Sequence, residues 1–141
     1  MRLGKMRASR VGTNPMTAQA TILVVDDSRT MVLTLARVLR KAGYHVTTAH
    51  DGVDALTKLE SGLHPALILT DLNMPELDGF GLIRAVRARQ GLDATPIIVL
   101  SAETSESATL EARALGANGW LTKPAGQATL LAAIAELAPA A

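Results

Sequence analysis

Short aliphatic runs alternate with helical patterns along this chain, and this alternation limits the folds open to it. The runs are rich in Val, Ile and Leu, and each is followed by a stretch with apolar residues three or four positions apart. Five such β-then-α units predict an α/β domain built on a parallel sheet. The predicted strands are 21–26, 45–49, 66–70, 96–100 and 118–122, and the predicted helices are 28–42, 52–61, 79–89, 105–114 and 126–137.

Composition supports one globular domain without disulfides. The 141 residues are 48% hydrophobic but only 2% aromatic, so aliphatic side chains and alanine must build the core. The absence of cysteine excludes disulfides and thiol chemistry. No apolar run approaches the ~20 residues that a membrane-spanning helix needs, and the N-terminus lacks the apolar core of a secretory signal. We therefore expect a cytoplasmic protein that does not enter the membrane.

The charge is divided unevenly between the N-terminus and the rest of the chain. Residues 1–20 contain four basic side chains and no acidic one, and removing them from the net charge of +1 leaves −3 for residues 21–141. An acidic domain lacks the excess of basic side chains that binding to nucleic acid requires. We expect residues 1–20 to be a basic, disordered extension and residues 21–138 to form the domain.

Polar, chemically active side chains follow four of the five predicted strands. Asp26 ends the first strand and Asp27 follows it, Asp71 follows the third strand, Ser101 the fourth and Lys123 the fifth. In a doubly wound sheet of strand order 2-1-3-4-5, the first, third and fourth strands are central and their carboxyl ends meet at the switch point. The sequence therefore predicts that these five side chains converge.

Such a cluster suits a divalent cation and a phosphoryl group. Carboxylates this close retain a proton or bind a cation, and hard oxygen ligands favour Mg²⁺. A carboxylate can accept a phosphoryl group as an acyl phosphate, while Mg²⁺, an ammonium and a hydroxyl neutralise its oxygens. Simpler interpretations exist for single residues: Asp27 could cap the first helix, Asp71 could open a loop, and Lys123 could be an exposed lysine.

The strings that carry these residues are similar to those of a known family. ILVVDDS, LTDLNMPELDGFGLIRAVR, PIIVLSAE and GANGWLTKP resemble, in order and spacing, the receiver domain of bacterial two-component response regulators. The resemblance covers about residues 21–138 and implies the (βα)5 flavodoxin-like fold. With no output domain in view, the chain looks like a stand-alone chemotaxis regulator and is expected to be a monomer.

The resemblance implies a role for each site residue. Asp71 would accept the phosphoryl group, with Lys123 and Ser101 stabilising it. Mg²⁺ would be bound by Asp71 together with Asp26, Asp27 and the backbone carbonyl of Asn73. The Lys123–Pro124 peptide would be cis. Ser101 and Trp120 would form a switch, with Ser in place of the commoner Thr and Trp in place of Tyr or Phe; Ala125 and Gly126 also depart from the family pattern.

The implied function is a two-state signalling protein rather than an enzyme with its own substrate. A histidine kinase would phosphorylate Asp71, and the surface of the last two helices and the last strand would then control a protein such as the flagellar motor switch. A shuttle that passes the group to a histidine phosphotransfer domain is the alternative. A phosphatase of the haloacid dehalogenase type is more remote, since its D-x-D motif is replaced by DDS, as is a scaffold that needs no phosphate.

Overall fold

The computed structural model describes residues 20–138, and it contains five strands and five helices in strict alternation. Each predicted element is present, with bounds that differ from the prediction by two residues or fewer. No helix in this range is long and apolar enough to cross a membrane. The prediction for residues 1–20 lies outside the described residues, apart from Ala20. The elements are β1 (Thr21–Val25), α1 (Arg29–Lys41), β2 (His45–Ala49), α2 (Gly52–Glu60), β3 (Leu67–Thr70), α3 (Gly79–Arg87), β4 (Ile97–Ser101), α4 (Glu106–Leu115), β5 (Gly119–Thr122) and α5 (Gln127–Leu137).

The five strands form one parallel sheet of order β2-β1-β3-β4-β5, as predicted. β1, β3 and β4 are central and buried on both faces, which explains their unbroken aliphatic sequences. Alternate side chains face two separate cores: Leu23 and Ile68 pack with α2, α3 and α4, whereas Ile22 and Leu67 pack with α1 and α5. The helices therefore cover both faces of the sheet.

A short polar side chain caps the N-terminus of four of the five helices in the described residues. The Oγ of Ser28 accepts a hydrogen bond from the Met31 N–H and caps α1, so the interpretation of Asp27 as the cap is wrong. Asp51 caps α2, since its side chain accepts from the Asp54 N–H at 2.7 Å. Gly43 follows α1 with a φ of 105°, a backbone conformation that favours glycine and ends the helix.

Arg87, at the end of α3, forms several hydrogen bonds at the edge of the sheet opposite the carboxyl ends of the strands. Its guanidinium donates to the carbonyl of Gly116 at 2.7 and 3.1 Å and to the Oδ1 of Asn118 at 2.9 Å. It also donates to the carbonyls of Asp93 and Thr95, before β4. This one side chain holds the end of α4 and the start of β5 against α3.

Candidate functional site

Three aspartates lie together at the carboxyl ends of β1 and β3, two of the three central strands. The Asp26 N–H donates to the Ala49 carbonyl at 3.1 Å and the Asp71 N–H to the Val25 carbonyl at 2.8 Å, so both residues prolong the sheet ladder by one position. Asp26, Asp27 and Asp71 each present a carboxylate oxygen within 4.8 Å of the others. Asp26 and Asp71 are buried, while Asp27 is exposed. The predicted convergence of these three residues is therefore present.

Lys123 brings a positive charge to the same cluster from the edge of the sheet. Its N–H donates to the Ser101 carbonyl at 2.9 Å, which continues the β4–β5 pairing past the end of β5. Its Nζ lies 2.9 Å from Asp26 Oδ2 and 3.3 Å from Asp71 Oδ2, and so bridges the two buried carboxylates. The Lys123–Pro124 peptide is cis, as the resemblance implied. Lys123 is thus a member of the site rather than an exposed lysine.

The remaining oxygens of the buried carboxylates are held by backbone amides. Asp26 Oδ1 accepts from the Ser28 N–H at 2.9 Å, and Asp71 Oδ1 accepts from the Leu72 N–H at 2.7 Å.

Burial raises the pKa of Asp71, and the charge of Asp26 adds to this, while the Leu72 N–H and Lys123 act against it. Burial would lower the pKa of Lys123, but the hydrogen bond to Asp26 and the two carboxylate charges raise it overall.

The other predicted site residues make no side-chain hydrogen bond or ion pair with the three aspartates among the described residues. Ser101 is fully buried at the end of β4, and its Oγ accepts from the Glu103 N–H at 3.1 Å rather than contacting Asp71. Asn73 is exposed in the loop after β3. Trp120 is half-buried in β5, opposite Val99, and packs against the core under α4.

The loop between β3 and α3 is more ordered than its sequence indicated. The Gly79 N–H donates to the Leu72 carbonyl at 2.7 Å, and a Cβ at Gly79 would lie 2.6 Å from the Asp71 carbonyl oxygen. The Leu77 N–H donates to the Pro75 carbonyl at 2.8 Å around Glu76, whose φ is 69°, which makes a γ-turn. Pro and Gly at 75 and 79 predicted a loop, but the sequence did not reveal that this loop closes tightly on Asp71.

Comparisons with known proteins agree with this arrangement. The response regulator receiver domain matches residues 22–135. The chain belongs to the response regulator receiver family. Protein PilG of Pseudomonas aeruginosa is 36% identical over 118 residues, which are 84% of this chain and 87% of PilG.

Solved receivers share the fold over nearly their whole length. Chemotaxis protein CheY4 of Vibrio cholerae is 40% identical, with a TM-score of 0.81 over 85% of this chain and 99% of CheY4. The receiver domain of the sensor histidine kinase PA1611 from P. aeruginosa PAO1 is 31% identical, with a TM-score of 0.79 over 85% and 98% of the two chains. That structure has a magnesium ion coordinated in its active-site cleft. This chain is therefore a receiver domain of the chemotaxis type, and the receiver domains of this family are signalling phosphoacceptors.

Proposed function

We propose that this receiver accepts a phosphoryl group on Asp71 and relays the change to a protein partner. The observation that carries the proposal is the contact of one ammonium, Lys123 Nζ, with the Oδ2 atoms of both Asp26 and Asp71. This geometry puts a cation next to the oxygens that a phosphoryl group on Asp71 would bring. Asp71 also follows a central strand, within the string LTDLNMP that resembles the acceptor motif of the family.

The donor set fits Mg²⁺. Three carboxylates within 4.8 Å supply hard anionic oxygens, and Asp27 is exposed, so one side of the group is open to water. We assign Asp26, Asp27 and Asp71 as side-chain ligands and Asn73 as a ligand through its carbonyl. The magnesium in the cleft of the related PA1611 receiver supports this assignment. When bound, the ion would neutralise the carboxylates and the phosphoryl oxygens.

The transfer itself requires little more than positioning by this chain. A carboxylate oxygen of Asp71 forms a bond to phosphorus while the bond from phosphorus to the imidazole nitrogen of a phosphohistidine breaks, and the freed imidazole takes a proton from water. The Leu72 N–H fixes the orientation of the Asp71 carboxylate, and Lys123 neutralises charge on the transferred group. The product is an acyl phosphate on Asp71 and a free histidine on the donor.

We propose that the conformational change caused by phosphorylation of Asp71 then involves Ser101 and Trp120. A phosphoryl group on Asp71 adds strong hydrogen-bond acceptors, which would draw the Ser101 hydroxyl away from the Glu103 N–H. The movement of Ser101 opens space beside β4 into which the half-buried Trp120 can turn. The surface made by α4, β5 and α5 changes as a result, and a partner that prefers the changed surface shifts the equilibrium further.

The partners we propose are a cytoplasmic histidine kinase upstream and a protein target downstream. Among targets we favour a motor switch protein, because solved relatives such as CheY4 are chemotaxis proteins. A histidine phosphotransfer domain is the alternative target. The two differ in the rate at which the phosphoryl group returns from Asp71 to a histidine, which a transfer assay with a purified phosphotransfer domain measures.

Intact mass spectrometry after incubation with Mg²⁺ and phosphoramidate tests the proposal. We expect one added phosphoryl group in the wild type, none in Asp71→Asn, and loss of the signal when EDTA removes Mg²⁺. Asp93→Asn is the matched control, because Asp93 is an exposed aspartate outside the cluster, and it should be labelled like the wild type. Labelling of Asp71→Asn, or none in the wild type, would contradict the assignment.

A further inference from the structure

The junction between β2 and α2 contacts both loops that carry the acidic residues, although it adds no carboxylate to the cluster. The Ala49 carbonyl accepts from the Asp26 N–H at 3.1 Å, and the Gly52 N–H donates to the Leu77 carbonyl at 3.2 Å. One short segment, residues 49–52, therefore supports the loop after β1 and the loop after β3. Supporting contacts of this kind orient metal ligands in other proteins.

Gly52 is the point of closest approach in this junction. A Cβ at Gly52 would lie 2.5 Å from the Leu77 carbonyl oxygen and 2.8 Å from the Leu77 Cβ. Both atoms are fixed to the backbone, so no rotamer of Leu77 relieves the contact. Residue 52 must lack a side chain because the loop packs directly on the start of α2.

The junction itself is fixed, so crowding at Gly52 would move the loop. Asp51 Oδ1 accepts from the Asp54 N–H at 2.7 Å and Asp54 Oδ2 accepts from the His50 N–H at 3.1 Å, so two side-chain hydrogen bonds hold the start of α2. Ala55 and Leu59 then bury the helix in the core. The partner of Gly52, the 72–78 loop, has fewer buried anchors.

The loop transmits such a displacement to the site because it is short and internally bonded. The γ-turn around Glu76 and the bond from the Gly79 N–H to the Leu72 carbonyl connect Leu77 to Asp71 in a compact loop. Asn73 lies within the same loop. We propose that Gly52 is a positioning residue for the metal site, acting through Leu77 on Asp71 and Asn73; this rests on the proposed Mg²⁺ role of the cluster.

Three glycine-to-alanine variants separate positioning from general destabilisation. Gly52→Ala crowds the loop beside the cluster. Gly116→Ala crowds Arg87 at the opposite edge of the sheet, with an added Cβ 2.7 Å from the Arg87 Nε, at a φ of 119°. Gly126→Ala meets nothing within 4 Å and serves as the open-space control. The Kd for Mg²⁺ is measured by following backbone amide shifts in NMR titrations, and Tm is measured alongside.

We expect Gly52→Ala to weaken Mg²⁺ binding about tenfold, within the range that supporting contacts contribute to metal affinity. Gly116→Ala should lower Tm and leave the Kd for Mg²⁺ within twofold of the wild type, and Gly126→Ala should change neither. An unchanged Kd in Gly52→Ala would overturn the proposal, as would an equal weakening in Gly116→Ala. Failure of the wild type to bind Mg²⁺ would instead refute the metal site and, with it, this proposal.

Hydrogen exchange on the wild type supplies a second test that does not depend on folding of the variants. The Gly52 amide is bonded to Leu77, so Mg²⁺ that fixes the loop should slow exchange of this amide. The Gly116 amide, at the other edge, should exchange at an unchanged rate. No slowing at Gly52 in the presence of saturating Mg²⁺ would overturn the proposal.

Discussion

Replacing Lys123 by methionine should destabilise the metal-free protein and make its stability depend more strongly on Mg²⁺. The cluster holds three carboxylates and one ammonium, a net charge of −2 when all are ionised. Lys123→Met keeps most of the aliphatic stem and removes the only cation in contact with Asp26 and Asp71 among the described residues. Asp26 is 2% exposed, so water compensates little for the loss.

The expected size follows from the burial of the two partners. Removing one member of a buried ion pair costs about 3–5 kcal/mol. The Lys123 side chain is 17% exposed and the cluster opens to solvent at Asp27, so we expect a smaller loss, about 2 kcal/mol. This corresponds to a fall in Tm of roughly 8 °C for a domain near 100 residues.

Urea unfolding in EDTA and in saturating Mg²⁺ measures the effect, with Asp71→Asn as the partner in a double-mutant cycle. Mg²⁺ should stabilise Lys123→Met more than the wild type, because the ion replaces the lost positive charge. In the Asp71→Asn background, the loss caused by Lys123→Met should shrink by about 1 kcal/mol, because one of the two attractive contacts is already absent.

Equal destabilisation with and without Mg²⁺ would contradict the electrostatic reasoning, since it would mean that Lys123 contributes through packing alone. A coupling energy of zero between Lys123 and Asp71 would likewise contradict the 3.3 Å contact between their side chains.

Two further outcomes follow from the geometry. The pKa of Asp71 is raised above 3.8 in the folded chain, so ionisation of this carboxyl opposes folding above that pH. Without metal, Asp71→Asn should therefore be more stable than the wild type at pH 7. Urea unfolding at several pH values should show this difference in stability shrinking as the pH falls towards 4. Arg87→Gln should lower the free energy of unfolding by about 2 kcal/mol, because several acceptors lose their donor, while the Kd for Mg²⁺ from NMR titration stays unchanged.

The residues of the cluster could be identified from the sequence because two regularities were sufficient. Aliphatic runs located the strands, and the parallel arrangement brought their carboxyl ends to one edge, so Asp26, Asp71 and Lys123 were predicted together. The chemical types at those ends then indicated a phosphoryl and metal site.

The detailed contacts could not be predicted, because they depend on hydrogen bonds between segments distant in sequence. Lys123 lies closer to Asp26 than to Asp71, and only the placement of β5 decides this. Ser28 rather than Asp27 caps α1; both are good capping residues, and the sequence alone could not choose between them. Gly52 and Leu77 are 25 positions apart, and no pattern in the sequence around either residue indicates that they are in contact.

The parallel sheet also fixes the direction in which both described ends of the chain point. β1 begins at the edge opposite the acidic cluster and rises through five residues, about 17 Å, before Asp26. α5 starts a few residues after Lys123 and runs antiparallel to the strands. Ala20 and Ala138 therefore both lie at the edge of the sheet opposite Asp71. A fluorescent domain or surface tether fused directly before Ala20 or directly after Ala138 would leave the cleft open to a docking kinase. Tension applied through both ends would act across the base of the molecule rather than on the phosphorylation chemistry.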